Sequence, residues 1–253
     1  MQWQNWLNSQ QQAVSSLEPL AGLTACSHLV TTNSQQRYVL RSQTARATDF
    51  GIDYQQEVQF LNLIAPLGFS PSVAYYDQYS SLLNWIEGTP PSKFNHQLIE
   101  QLANLVANLH LFDLQAVANL EQFTKLNLAE RCQFLWNKLS SEQQATLGFQ
   151  PPFLAISPFK QAICHHDIHL ANLIQKNDKL FLIDWEYCAI SDPALDLTML
   201  VYSKQLTQIQ MDYFLKHYFA KTGFDRTACM AKVEEYLPEV DKLNRLWFSL
   251  QAI

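Results

Sequence analysis

Cys164-His165-His166-Asp167-Ile168-His169-Leu170-Ala171-Asn172, followed shortly by Phe181-Leu182-Ile183-Asp184-Trp185-Glu186, is the stretch on which the reading of this chain turns. Between the two, Leu173 to Gln175 and Leu180 to Ile183 read as strands about Asn177-Asp178, a pair that tolerates the positive φ of a tight turn. A hairpin turning there sets Asn172 opposite Ile183, so the first residue of one strand lies beside the last of the other. Asn172 and Asp184 then share one end of the ribbon, and Asp167 sits in the loop just before it. Two carboxylates and a carboxamide oxygen are thereby brought together, a set of hard oxygen donors that suits Mg2+ and leaves room in its shell for water and phosphate oxygens. One carboxylate need not touch metal: within reach of a hydroxyl, it orients that group and accepts its proton.

Working outward, the pattern of elements changes near Gly88. Before it, Ser27 to Thr31 and Tyr38 to Arg41 flank Asn33-Ser34, while Ser72 to Tyr76 and Leu82 to Ile86 flank Asp77 to Ser80. These runs predict two antiparallel hairpins. Between them, Phe60, Leu61, Ile64 and Leu67 mark one face of a helix over 53–67, ended by Gly68 and followed by Pro71. Glu57 precedes Phe60, Leu61 and Ile64 at helical spacing, so its carboxylate falls on the buried face and needs a cationic partner. Arg41, at the end of its strand, is the candidate. After Gly88 the spacing predicts helices over 98–112, 128–139, 193–202, 207–220, 227–236 and 240–250, interrupted only by the ribbon around Asn177. The expected class is α+β, with a small β-rich N-terminal lobe over 1–88 and a larger, mainly helical lobe over 89–253.

Composition narrows the function classes. The 253 residues are 48% hydrophobic and 16% charged, enough apolar material for one large or two small cores. A net charge of -6 and the absence of an arginine-rich stripe argue against a nucleic-acid partner. Met1 to Gln12 read as carrying no secretory signal, and no apolar run is long enough to span a bilayer, so no membrane partner is expected. Cys26, Cys132, Cys164, Cys188 and Cys229 are odd in number, scattered and without a C-x-x-C pair. They read as reduced thiols of a cytoplasmic protein rather than a disulfide framework or zinc site.

The motif H-x-D-x-x-x-x-N at His165, Asp167 and Asn172, joined to Ile183-Asp184-Trp185-Glu186, resembles the aminoglycoside phosphotransferase and choline kinase superfamily. With Tyr187, Asp192-Pro193 and Asp196-Leu197 added, it is most similar to the bacterial choline, ethanolamine and thiamine kinase-like members. The resemblance implies a bilobal protein-kinase-like fold and transfer of a phosphoryl group from ATP, with Mg2+, to a small-molecule alcohol. It implies Asp167 as catalytic base and Asn172 and Asp184 as metal ligands. It also puts Arg41, where many kinases have lysine, on the nucleotide phosphates and in a pair with Glu57. Asn84-Trp85-Ile86-Glu87-Gly88 resembles the hinge that holds adenine, which places Trp85 and Glu87 with the nucleotide. Gly22-Leu23-Thr24-Ala25-Cys26-Ser27 stands where a phosphate loop would, with one glycine where several usually let backbone amides approach.

The remaining polar residues are weighed against blander roles. His165 reads as a brace for the catalytic loop, and His169 as facing substrate. Glu186 beside Tyr187 suits a cationic alcohol through charge and cation–π contact, which ranks choline, ethanolamine or thiamine above an aminoglycoside. Asp192 reads as the cap of a helix that begins at Pro193. Asp196 either braces the catalytic loop or is a solvated first-turn acid. Two other readings are open: His110, His166-Asp167 and a later Asp echo the ligands of an HD-type metal phosphohydrolase, and the single-glycine loop with Arg41 fits a non-catalytic pseudokinase.

Overall fold

The computed structural model describes residues 2–20 and 27–251, so the glycine-bearing loop before Ser27 and Cys26 lie outside the described residues. In the glutamine-rich opening stretch, Trp3, Trp6 and Leu7 share one face of α1 (Gln2–Ser9), and Trp3 and Leu7 are buried. That face packs on an antiparallel sheet of β1 (Val14–Pro19), β2 (Ser27–Thr32) and β3 (Arg37–Ser42), completed after two helices by β4 (Val73–Tyr76) and β5 (Ser80–Asn84). The strand order is β1-β2-β3-β5-β4. Alternation along β3 decides which residues meet α1: Tyr38 and Leu40 join Trp3, Leu7, Val30 and Leu82 in one cluster, while Val39 and Arg41 turn to the other face. Burying each such Trp or Leu contributes about 1.5–3 kcal/mol. Neither α1 nor β1 is anticipated above, although the Trp3-Trp6-Leu7 spacing carried the signal for α1.

Across the sheet's other face, short α2 (Ala45–Asp49) leads into α3 (Tyr54–Ile64), which Asp53 caps by accepting from the Gln55 N–H. Glu57, Phe60, Leu61 and Ile64 are buried as the spacing predicts, and Gly68 ends the helix in a left-handed conformation. Beyond β5 come α4 (His96–His110), α5 (Leu128–Lys138) and α6 (Ser141–Thr146). Two short ribbons follow. β6 (Ala162–Cys164) pairs with β9 (Ala189–Ser191), and inside that loop β7 (Leu173–Lys176) pairs with β8 (Lys179–Leu182). The inner register runs from Leu173 opposite Leu182 to Lys176 opposite Lys179, about an Asn177 at φ 55°. The Ile183 N–H donates to the Asn172 carbonyl at 2.9 Å, so Asn172 and Asp184 do meet at one end. Strands of three residues, as β6 and β9 are, carry no periodicity by which they could be anticipated.

The chain finishes with α7 (Pro193–Tyr202), α8 (Gln208–Thr222) and α9 (Arg226–Gln251). The last of these corrects the expectation of two helices over 227–236 and 240–250: the helix passes through Pro238 without a break. A proline inside a helix costs about 3 kcal/mol, and the buried Tyr236, Glu239 and Val240 on either side, with α5 and α7 packed along the helix, hold the chain helical. One apolar cluster runs from Phe60 and Leu61 through Leu102 and Leu173 to Trp185 and Leu246, joining the helix beneath the sheet to the helical part. Among the described residues no helix is long and apolar enough to cross a membrane. Cys132, Cys164, Cys188 and Cys229 are buried and free.

Gly88 sits where the sheet gives way to helices, and the next residue, Thr89, exchanges both backbone hydrogen bonds with Gln175 of β7 at 3.1 and 2.9 Å. A β-carbon at Gly88 would run into the Gln175 carbonyl and the Ile174 side chain, at a φ of 152°. Gly88→Ala is therefore expected to lower stability by about 2 kcal/mol, a fall in Tm of roughly 4–8 °C for a chain of this size. Thermal denaturation followed by circular dichroism checks this, and an unchanged Tm would show that the junction yields freely.

Candidate active site

The turn that carries Asp167 is held from beneath by Asp196, in the first turn of α7. Its carboxylate is wholly buried and accepts the N–H groups of His165 at 3.0 Å and His166 at 2.8 Å, and meets His110 Nε2 at 3.0 Å. An ionised carboxylate only accepts, so Nε2 carries the proton, and Nδ1 of His110 faces the Tyr218 hydroxyl at 2.8 Å. Burial alone would raise the pKa of Asp196; the hydrogen bond and charge of His110, with His166 and His165 behind it, carry it well below the usual carboxylate range. Of the two readings of Asp196, the brace is the one found. Asp192 caps α7 as expected, accepting from Ala194, and also takes the Phe159 N–H and the Tyr236 hydroxyl.

His165 joins the loop to the ribbon. Its Nδ1 accepts the Asp167 N–H at 3.2 Å, which fixes the proton on Nε2, and Nε2 donates to the Ile183 carbonyl at 3.0 Å. The ring packs edge-on against Trp185, itself buried, with its indole N–H on the Leu182 carbonyl. Burial depresses the His165 pKa, so the ring stays neutral, as a brace requires. His166 adopts φ 65° and donates from Nδ1 to the Tyr187 carbonyl, leaving Nε2 buried with no partner among the described residues.

Asp167 comes to the surface of the cleft with its side chain about a third exposed. Its Oδ2 receives Asn172 Nδ2 at 2.9 Å and lies 3.3 Å from His169 Nε2, while among the described residues nothing donates to Oδ1. Burial pushes its pKa up, but His169, His165 and Asn172 bring it below the ordinary value, so the carboxylate is ionised. The same contact raises the pKa of His169. Asn172 directs its amide nitrogen at Asp167, which leaves its oxygen as a hard donor at the ribbon end where Asp184 begins.

Arg41 reaches that point from the sheet. Its guanidinium lies 3.2 Å from Glu57, 2.5 Å from Asp184 and 3.6 Å from Glu186, and donates to the Ser27 hydroxyl at 2.6 Å. Burial by itself would depress its pKa, but the three carboxylates carry it well above the ordinary value. Eight of the ten residues singled out in the sequence thus form one cluster: Arg41, Glu57, His165, Asp167, His169, Asn172, Asp184 and Glu186.

All but Glu57 and His165 line, directly, a cavity of about 710 Å³, and Trp85 lines its apolar end with Leu20, Val39, Leu83 and Ile174. Glu87 is not brought there. Its half-exposed carboxylate pairs with Arg37 of β3, whose guanidinium also lies over the Trp85 ring, so the cation on the sheet draws it outward. The opposite end is lined by Arg131, Tyr187, Trp247 and Phe248, none of which the sequence marked as site residues beyond the mention of Tyr187. Arg131 stands three residues after buried Leu128 and four before buried Leu135, the spacing that could have flagged it.

The donors present fit a hard divalent cation. The Asn172 oxygen and the Asp184 carboxylate adjoin at the ribbon end, with Asp184 at φ 67° and its side chain about a third exposed. The other candidate cluster does not fit a metal. His110, Cys164 and Asp196 bring their ligand atoms within 4.8 Å of one another, but Asp196 is already occupied by three donors and burial holds the Cys164 thiol protonated. With both ring nitrogens of His110 committed to Tyr218 and Asp196, and Asp167 turned to Asn172 and His169, the phosphohydrolase reading fails on geometry.

A model of the phosphotransferase enzyme family matches residues 17–233. The chain belongs to that family. It is similar to protein LicA of Haemophilus influenzae, 30% identical over 91 residues, which are 34% of this chain and 32% of the relative, so the match spans about a third of that protein's length. Its fold resembles that of choline kinase LicA from Streptococcus pneumoniae, with a TM-score of 0.75 at 20% identity over 99% of this chain and 89% of that one. A structure of LicA in complex with AMP superposes with a TM-score of 0.71 at 21% identity, over the same shares of each chain.

Glu186 gives this cluster a pH signature. Desolvation, with the charge of Asp184, raises its pKa from 4.5 to about 8 against the pull of Arg41. Because the folded value is the higher one, the native state holds a proton that the unfolded chain releases, and stability falls as pH rises from about 4.5 to about 8. Glu186→Gln is expected to flatten that fall in Tm-against-pH profiles. Identical profiles for the two proteins would show that Glu186 titrates normally.

Proposed function

We propose that the chain is an ATP- and Mg2+-dependent kinase that transfers the γ-phosphoryl group to the hydroxyl of a small cationic alcohol of the choline, ethanolamine or thiamine kind. The observation that carries this reading is the ionised Asp167, with Oδ1 free of donors among the described residues, in one cavity with the Asn172 oxygen and Asp184. Residues 1–88 serve as the nucleotide lobe and 89–253 as the lobe that binds acceptor and carries the catalytic loop. Leu20, Val39, Leu83, Trp85 and Ile174 offer an apolar slot for a base, and LicA, which shares the fold, has been seen with AMP.

In the reaction the acceptor oxygen attacks the γ phosphorus as the bond to the β-phosphate oxygen breaks, and the hydroxyl proton passes to Asp167. Asn172 and Asp184 would hold the divalent cation, which supplies positive charge against the phosphate oxygens when bound. Arg41 has more acceptors than one fork can serve, and its charge faces the phosphates while Glu57 fixes it from behind. His169 keeps Asp167 ionised and aligned. The ring faces of Tyr187 and Trp247, with the oxygens of Glu186 beside them as acceptors, favour a cationic group on the acceptor.

The test is ADP release by the purified protein with ATP and Mg2+ against choline, ethanolamine, thiamine and kanamycin. Release stimulated by a small cationic alcohol is expected, and Asp167→Asn should lower kcat by about a hundredfold or more with an unchanged circular dichroism spectrum. Near-wild-type turnover in Asp167→Asn would overturn the assignment of the base. Stimulation by kanamycin alone would move the acceptor to the aminoglycosides.

A further inference from the structure

The acceptor end of the cavity contains a cation that the reading above does not use. Arg131 lies on the inward face of α5, and its guanidinium lines the same cavity as Asp167, Tyr187 and Trp247. One of its terminal nitrogens donates to the Phe50 carbonyl, and the group sits over the rings of Phe134 and Tyr187, at 5.6 and 5.8 Å from their centroids. Gly51, at φ 65°, makes this seat possible, since a β-carbon there would collide with the guanidinium.

Among the described residues no carboxylate comes within ion-pair distance of Arg131. The contrast with Arg41, which meets three, is direct. Burial accordingly holds the Arg131 pKa below the ordinary value, opposed only by Tyr187 and Cys132. The guanidinium is half-buried, and one carbonyl with two ring faces leaves most of its five N–H donors open to the cavity, where they face whatever enters it. If Arg131 served only to fasten α5 to the turn at Phe50, a neutral donor would do the same work without placing charge at the wall of a substrate cavity.

We propose that Arg131 recognises an anionic oxygen group on the acceptor. The acceptor is then a hydroxylated zwitterion, with its cationic group towards Glu186 and its anionic group on Arg131, rather than a simple amino alcohol. A planar fork on carboxylate or phosphate oxygens provides both charge and direction. This rests on reading the Tyr187–Trp247 end as the acceptor site of a kinase, and it narrows the substrate class of that site.

Matched probes that differ chiefly by a carboxylate test it: serine against ethanolamine, and carnitine against choline. Equilibrium binding to the full chain is measured by calorimetry without nucleotide, and ADP release is measured separately with the same four compounds. In each pair the carboxylated member is expected to bind about tenfold tighter or more, the size of one charge-assisted contact. Arg131→Gln should erase that advantage, and Arg131→Lys, which keeps the charge but not the fork, should retain part of it. Equal or weaker binding of the carboxylated members overturns the proposal, as does binding of none of the four. So does an advantage that survives in Arg131→Gln. If Arg131→Gln fails to fold, Arg131→Lys decides, because a residue that only fastens α5 would leave the ratio untouched. Preserved binding preference without ADP release would overturn the kinase reading and leave the recognition of the anion standing.

Discussion

The carboxylate of Asp196 accepts two consecutive backbone N–H groups, those of His165 and His166, in a place that water does not reach. Two donors from adjacent residues can converge on one carboxylate only if the chain turns sharply between them, and His166 makes that turn at a positive φ. The next residue is Asp167. Its position is therefore fixed by an acid on α7, which is held in turn by His110 on α4 and, through His110, by Tyr218 on α8. Three helices thus converge beneath one loop. The β6–β9 ribbon closes the arrangement by bringing the residues before His165 alongside those that lead into α7. A network of this kind adds little net stability, because each buried charge has been taken from water, but losing one member leaves the others unpaired at a cost of about 3–5 kcal/mol. Its value lies in permitting one geometry only.

Arg41 performs the corresponding task from the sheet side. A lysine offers a point charge on a flexible stem, whereas the guanidinium fork spans Glu57, Asp184 and Glu186 at once. Arg41 keeps its Nε buried with no acceptor among the described residues, so the fork is not saturated by its partners. Three carboxylates about one guanidinium leave acceptors over at the mouth of the cleft, which suits a cation that enters it. The second cation, Arg131, stands in the opposite setting, with no carboxylate within ion-pair distance among the described residues.

Legibility in the sequence followed the range of the interactions. The Asp167–Asn172–Asp184 constellation could be read because hairpin register is local: once Asn177-Asp178 is taken as the turn, the pairing of Asn172 with Ile183 follows by counting. Glu57 could be read because helical spacing shows which face is buried, and its partner had to be a nearby strand cation. Asp196 was left between two readings, because spacing within α7 does not show that α4 delivers a histidine to it. The same limit hid β6 and β9, which exist only through each other. Pro238 misled in the opposite direction, as a local rule overridden by burial along both sides of α9. Glu87 was assigned to the nucleotide from its place in a hinge-like segment, but a strand cation with no local signature took its side chain.

The wall that carries Arg131 is bound to the sheet side of the molecule at several independent points. Arg131 reaches the Phe50 carbonyl, Lys138 at the end of α5 pairs with Asp49 at 2.8 Å, and Gln56 of α3 holds the backbone at Thr124 and Gln122. Any widening of this end of the cavity must break an exposed ion pair and several hydrogen bonds together, and it must also move Phe50, which is buried and packed against Trp247. A site anchored in this way selects by fixed placement of charge rather than by adapting to its ligand. On the proposed reading, the distance from Glu186 to the guanidinium of Arg131 then becomes the dimension that an acceptor has to match.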